Sequence, residues 1–126
     1  MANELTVTTS MKLANGNLDS FVISPRTQSI TQTTAAPARV DGTQTIGFAA
    51  HEALTVTDLT TLGWAYFRNR DATNFVQIGV DVGGTFYPLI RLKNGEGCVV
   101  RLDSGATVYA QADTAAVILE RCIIDD

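Results

Sequence analysis

The chain has 126 residues, of which 45% are hydrophobic and 17% are charged, and its formal net charge is −4. This size and composition predict one globular domain whose hydrophobic core needs neither a disulfide nor a metal. An acidic chain with only nine Lys and Arg residues is a poor candidate for binding nucleic acid or an anionic membrane, so neither partner is expected.

The first half of the chain predicts short strands that are rich in Thr, Val and Ile. A turn is expected at Asn15-Gly16, a strand end at Pro25 and a bend at His51. The predicted strands are 4–14, 18–24, 27–34, 40–50 and 52–56, followed by one possible helical turn at 58–62. Residues 1–45 are the more polar part, and residues 1–16 could form an extended N-terminal arm.

The second half shows clearer alternation, which is typical of strands with two different faces. In residues 63–70 one face carries Trp64, Tyr66, Arg68 and Arg70, and the other carries Ala65, Phe67 and Asn69. In residues 75–82 one face carries Val76, Ile78, Val80 and Val82. Further strands are predicted at 85–92, 98–102, 107–112 and 115–126, with turns at 71–74, 94–97 and 103–105.

The pair Gly83-Gly84 could belong to a phosphate-binding loop or to a hairpin turn. A phosphate loop normally leads into a helix, but the residues that follow this pair are strand-like and include a proline. Two glycines between two alternating runs favour a two-residue hairpin turn. This register pairs Val82 with Thr85, sets Val80 opposite Tyr87, and sets Ile78 opposite Leu89.

Eight to ten short strands at intervals of about 8–12 residues are typical of an all-β sandwich or barrel. We therefore predict a single all-β domain over residues 1–126, an antiparallel two-sheet sandwich of jelly-roll type. An immunoglobulin-like sandwich is the alternative.

Catalytic and metal-binding patterns are weak in this sequence. The single histidine, His51, has no recognisable nucleophile motif around it, and the aspartates are scattered over turns. We therefore expect no enzyme activity, no cofactor and no metal. Cys98 and Cys122 lie in separate apolar runs, which favours buried free thiols in a reducing compartment over a disulfide.

The strongest candidate for an interaction surface is the row Trp64, Tyr66, Arg68 and Arg70, because protein interfaces are enriched in these residue types. Stacking on sugars is a second use for an exposed face of this kind. In the structural alternative, the two aromatic rings line the core and the two arginines lie at the wet end of the strand. Leu5 and Val7, in the N-terminal segment, could add to the interface if this segment pairs with a neighbouring molecule.

The stretch GWAYFRNRDATNFVQIGVD…GTFYPLIRLKNGEGCVVRL, within residues 63–102, resembles small virion proteins of tailed bacteriophages. The matching elements are a D-x-T-N turn, a V-x-I-G strand, and an F-x-P-x-x-x-L-K-x-G-E stretch that ends in Leu92-Lys93-Asn94-Gly95-Glu96. These are turn and core residues and not a catalytic motif. The resemblance implies a structural role in a virus particle.

We therefore expect a non-enzymatic virion protein that self-associates, binds the capsid shell, or does both, as a decoration or auxiliary capsid protein. Its expected partners are copies of itself and a major capsid or tail protein. No signal peptide is visible at the N-terminus, so we expect assembly in the host cytoplasm and a final location in the virion. A small tail or neck component, and a carbohydrate-binding sandwich module, are the alternatives.

Overall fold

The computed structural model describes residues 4–14, 21–33 and 38–126. The described residues form eleven strands: β1 (Leu5–Leu13), β2 (Phe21–Ile30), β3 (Arg39–Val40), β4 (Thr43–Ile46), β5 (Glu52–Ala53), β6 (Leu62–Asn69), β7 (Val76–Val82), β8 (Thr85–Leu92), β9 (Gly97–Arg101), β10 (Tyr109–Ala112) and β11 (Val117–Asp125). Every strand pair is antiparallel, and no helix that could cross a membrane occurs in these described ranges. The all-β prediction is confirmed. The described residues fall into two compact units, one within residues 1–35 and the other within residues 36–126.

The first unit is the hairpin of β1 and β2, whose register sets Leu5 opposite Ile30. The predicted strand end at Pro25 is wrong, because β2 runs through this residue. The register shifts between Thr9 and Met11, and such a bulge lets an antiparallel pair accept a residue that has no N–H to donate. The strands predicted at 18–24 and 27–34 are therefore one strand. The predicted turn at Asn15-Gly16 lies outside the described residues.

The second unit is a jelly roll. The four pairs β4·β11, β5·β10, β6·β9 and β7·β8 are those of one long antiparallel ribbon that is folded at the turn between β7 and β8. Rolling up this ribbon adds the pairs β10·β7 and β11·β6. The result is a four-stranded sheet, β5-β10-β7-β8, and a five-stranded sheet in which β3 and β4 both pair with β11, which is followed by β6 and β9. This strand order is that of a jelly-roll sandwich, as predicted.

The core of the jelly roll lies between the inner faces of the two sheets. The four-stranded sheet contributes Val76, Ile78, Leu92, Ala110 and Ala112, and the five-stranded sheet contributes Ile46, Ala65, Phe67, Val117, Leu119 and Ile123. These residues follow the period of two expected for strands with one buried face.

The hairpin of β7 and β8 confirms the turn that the glycine pair predicted. Gly83 and Gly84 have φ values of 61° and 87°, the left-handed region that such a tight turn requires. The predicted pairs Val82–Thr85 and Val80–Tyr87 are present.

The predicted pairing of Ile78 with Leu89 is wrong, because a β-bulge shifts the register at Gly79 and sets Ile78 opposite Ile90. The chain of β8 approaches Gly79 so closely there that an added Cβ atom would overlap the carbonyl oxygen of Tyr87. The bulge turns Leu89 outward, where 76% of its surface is exposed.

The predicted helical turn at 58–62 is also wrong. Asp58 has a φ of 70°, which interrupts a right-handed helix. The backbone N–H groups of Thr60 and Thr61 donate to Asp125 Oδ1 at 3.0 and 3.2 Å, and the chain then enters β6 at Leu62. The N–H that would close a helical turn at 58–62 is that of Leu62, and it donates instead to the carbonyl oxygen of Ser104 at 3.3 Å.

The residues behind the resemblance to phage virion proteins act as fold determinants. Asp71 Oδ1 accepts the backbone N–H groups of Thr73 and Asn74 at 2.8 and 2.6 Å, which closes the D-x-T-N turn. These bonds to backbone donors also lower the pKa of Asp71 below its usual value. Glu96 Oε2 accepts the backbone N–H of Lys93 at 2.8 Å and closes the turn between β8 and β9.

Candidate functional site

Strand β6 presents the predicted row on the face of the five-stranded sheet that points away from the core. Ala65, Phe67 and Asn69 point inward and are buried, whereas Tyr66, Arg68 and Arg70 are exposed and Trp64 is half-buried. This arrangement excludes the alternative in which the aromatic rings of Trp64 and Tyr66 line the core between the sheets. The role of the row as an interface stays a prediction.

The neighbouring strands add apolar side chains to this face. Tyr66 lies opposite Val99 on β9 and opposite Cys122 on β11, with β6 between them. Tyr66 is 36% exposed and Val99 is 40% exposed. We call Trp64, Tyr66, Val99 and Cys122 the outer patch.

Charged side chains surround the outer patch. Three ion pairs lie on or beside this sheet: Arg70–Glu120 at 3.1 Å, Arg101–Asp126 at 2.7 Å and Arg39–Asp41 at 3.1 Å. Arg68 lies opposite Glu120 on β11 and Gly97 on β9, and it has no ion pair with the described residues. An apolar centre with a charged rim is the anatomy of a protein–protein interface.

Trp64 contributes a polar atom that has no hydrogen-bond partner among the described residues. This atom is the buried indole Nε1. Buried donors are normally satisfied in proteins, so the indole N–H is an exception within the described part of the chain.

The environment of the two cysteines favours the neutral thiol over the thiolate. Cys98 points into the core from β9, and Cys122 lies on the outer face of β11, two strands away. Burial raises the pKa of both thiols, and the negative charge of Asp41 raises the pKa of Cys122 further. Both cysteines are free within the described ranges, as predicted, although they are only half-buried.

Leu5 and Val7 belong to the hairpin unit. Leu5 is half-buried, and Val7 is only 7% exposed and lies opposite Gln28. The structure therefore keeps the side chain of Val7 largely away from solvent, and it does not place these two residues in the compact unit that carries β6.

A polar cluster on the outer face of the four-stranded sheet was missed by the sequence analysis. His51 Nε2 lies 2.5 Å from Asp81 Oδ2, and the ring stacks on Phe86 at 5.3 Å with Tyr109 at its edge, 5.5 Å away. Asp81 also accepts the backbone N–H of Gly84 through Oδ1 at 3.0 Å. No signal in the sequence joins residues 51 and 81, since they come together only when the roll closes.

This cluster connects the loop before β5 to the hairpin of β7 and β8. The carboxylate of Asp81 forms one hydrogen bond with the imidazole of His51 and another with the backbone N–H of Gly84, and both bonds lower the pKa of Asp81. The only hydrogen-bond partner of the His51 ring in the described residues is Asp81, and no described nucleophile touches it. The described residues also contain no group of three or more His, Cys, Asp or Glu side chains that could hold a metal ion.

Comparison of the chain with models of known protein families, with curated proteins and with solved structures gave no significant match. The strand order of the structure defines the class of protein: an antiparallel jelly-roll unit and a second compact unit, which is a β-hairpin.

Proposed function

We propose that this protein is a non-enzymatic structural protein of a bacteriophage virion, which associates with copies of itself and with the capsid shell as a decoration or auxiliary protein. The observation that carries this proposal is the outer patch, an apolar centre on the outer face of the five-stranded sheet within a rim of ion pairs. The string within residues 63–102 that resembles phage virion proteins supports the phage assignment.

The composition of the patch suits reversible contact between folded proteins. Tyr and Trp supply large contact areas at low entropic cost, and Arg binds across interfaces through several donors. Each ion pair of the rim is already formed within one chain, so the rim needs little rearrangement when a partner approaches. The apolar centre supplies the free energy of association, and the rim supplies orientation.

Self-association is tested by light scattering during size-exclusion chromatography. We expect the unmodified protein to form oligomers, and we expect Val99→Glu to shift it toward the monomer, because a carboxylate would be buried in the apolar centre. Val82→Glu is the matched control, since Val82 is also an exposed strand valine but lies on the other sheet. A protein that is monomeric at all concentrations contradicts the self-association part of the proposal.

Shell binding is tested by co-sedimentation with capsid shells assembled from the major capsid protein whose gene lies nearest to the gene of this chain. We expect the unmodified protein to pellet with the shells and Val99→Glu to stay in the supernatant. A monomeric protein that binds no shell, but binds a glycan array in a manner that Trp64→Ala abolishes, would establish the carbohydrate-binding alternative.

A further inference from the structure

The open side of the jelly roll contains an apolar cavity, at the edge where β8 ends one sheet and β9 ends the other. Its volume is about 290 Å³. The walls come from both sheets and are almost entirely apolar, with Phe67, Ile78, Val80, Val100, Leu102 and Val108 as the main lining residues. The cavity lies on the inner side of the sheets and is therefore distinct from the outer patch.

The cavity lies beside the β-bulge at Gly79. In a regular hairpin Leu89 would lie opposite Ile78 and would point between the two sheets. In this structure Ile90 lies opposite Ile78 and is half-buried, and Leu89 lines the cavity with most of its side chain exposed. The described residues leave the space between β8 and β9 incompletely filled.

Size and polarity decide which kind of ligand the cavity can take. A cavity of about 150 Å³ with apolar walls stays dry and binds benzene, so a volume of 290 Å³ suits a ligand of about two fused rings. Water gains few hydrogen bonds inside apolar walls, so an apolar ligand displaces it at little cost. Leu89 lines the cavity and has an exposed apolar side chain, so it provides an entrance of the same character from solvent.

Two charged residues line the cavity, Arg101 and Asp103, and both are exposed to solvent. Arg101 contacts Asp126 at 2.7 Å, and Asp103 follows in the next turn. A charged ligand group would have to leave water without a partner in the interior, which is costly. We propose that this cavity is a binding site for a small neutral apolar ligand, about the size of two fused aromatic rings.

The test uses the fluorescence of the two-ring probe 1-naphthylamine, which is uncharged at neutral pH, with the full chain. We expect saturable binding of one probe per chain. Val100→Phe fills the cavity from β9 and should weaken the affinity at least tenfold. Val22→Phe is the matched control, because Val22 is an exposed strand valine of the hairpin unit that neither lines the cavity nor belongs to the outer patch, and its affinity should stay within twofold.

A second variant covers the case in which Val100→Phe fails to fold. Leu89→Asp places a charge at the mouth on an exposed position, so folding should be unaffected while the affinity for the neutral probe falls. The proposal is overturned if the unmodified protein shows no saturable binding, or if folded Val100→Phe and Leu89→Asp bind the probe as well as the unmodified protein does.

The test also distinguishes a small ligand from a second copy of the chain. If the bound fraction of probe falls as the protein concentration rises at a constant ratio of probe to protein, then another copy occupies the cavity and the proposal is overturned. None of these outcomes depends on shell binding, so the cavity proposal and the proposed function stand or fall separately.

Discussion

The imidazole of His51 and the carboxylate of Asp81 form the contact that holds the loop before β5 against the hairpin of β7 and β8. Nε2 of His51 and Oδ2 of Asp81 are 2.5 Å apart, although thirty residues separate them in sequence. The same aspartate accepts the backbone N–H of Gly84 in the hairpin turn, so one side chain joins two loops. This position makes Asp81 the residue whose ionisation should matter most for the stability of this end of the roll.

The first prediction concerns acid stability. The hydrogen bond from His51 and then the one from Gly84 lower the pKa of Asp81 below its usual value of 3.8. A carboxylate whose pKa is lowered by folding stabilises the protein above its unfolded pKa, and this stability is lost as the pH falls through the folded pKa. We therefore expect Asp81→Asn to reduce the free energy of unfolding above about pH 5 and to have a shrinking effect in more acidic solution.

Urea unfolding at a series of pH values measures this difference. Asp103→Asn is the control, because Asp103 is exposed and its carboxylate has no hydrogen-bond partner among the described residues. A difference between the unmodified protein and Asp81→Asn that is constant from neutral pH to pH 2 would contradict the prediction.

The second prediction concerns the β-bulge. Gly79→Ala should destabilise the protein by at least about 2 kcal/mol, because the added methyl group overlaps the carbonyl oxygen of Tyr87 and the bulge cannot keep its geometry. Gly105→Ala should be nearly neutral, since no described atom beyond its chain neighbours lies within 4 Å of the added Cβ. Chemical denaturation compares the two variants, and equal effects would show that the close approach at Gly79 does not limit stability.

The third prediction concerns the buried carboxylate near the C-terminal end of β11. Asp125 is 3% exposed and accepts the backbone N–H groups of Thr60, Thr61 and Ala38. Asp125→Ala leaves these donors unsatisfied and should lower the free energy of unfolding by about 1–3 kcal/mol.

The neighbouring residue provides the control for Asp125. Asp126 forms an ion pair with Arg101 close to solvent, so Asp126→Ala should change the stability by less than about 1 kcal/mol. Thermal unfolding followed by circular dichroism ranks the two variants. If Asp126→Ala lowers the melting temperature more than Asp125→Ala does, then the ion pair contributes more to stability than the hydrogen bonds of Asp125, and the prediction is wrong.

The fourth prediction concerns the thiols. Because burial raises the pKa of Cys98 and Cys122, both should react slowly with a thiol-specific reagent in the native protein and quickly in urea. Dithiothreitol should leave the melting temperature unchanged, since the two side chains belong to strands separated by β6. Rapid labelling of both thiols in the native state would mean that the sheet opens more often than its packing suggests.

The sequence alone determined the fold class, because its signals act between near neighbours. Alternation along residues 63–70 and 75–82 identified the inward and outward faces of β6 and most of β7. The glycine pair at 83–84 determined a tight hairpin, since few residues tolerate two consecutive left-handed conformations. The turn at Asp71 was likewise visible, because an aspartate bonds the backbone two and three residues ahead.

Tertiary structure decided the features that depend on distant residues. Residues 58–62 do not form the predicted helical turn, because the N–H of Leu62 donates to the carbonyl oxygen of Ser104, about 40 residues away, and the carboxylate of Asp125 binds the backbone of Thr60 from about 65 residues away. The bulge at Gly79 moved Leu89 out of the position opposite Ile78, and closure of the roll brought His51 to Asp81. Local periodicity reports which face of a strand is apolar. It cannot report which strand covers that face, because strand pairing is settled by the combined packing of both sheets.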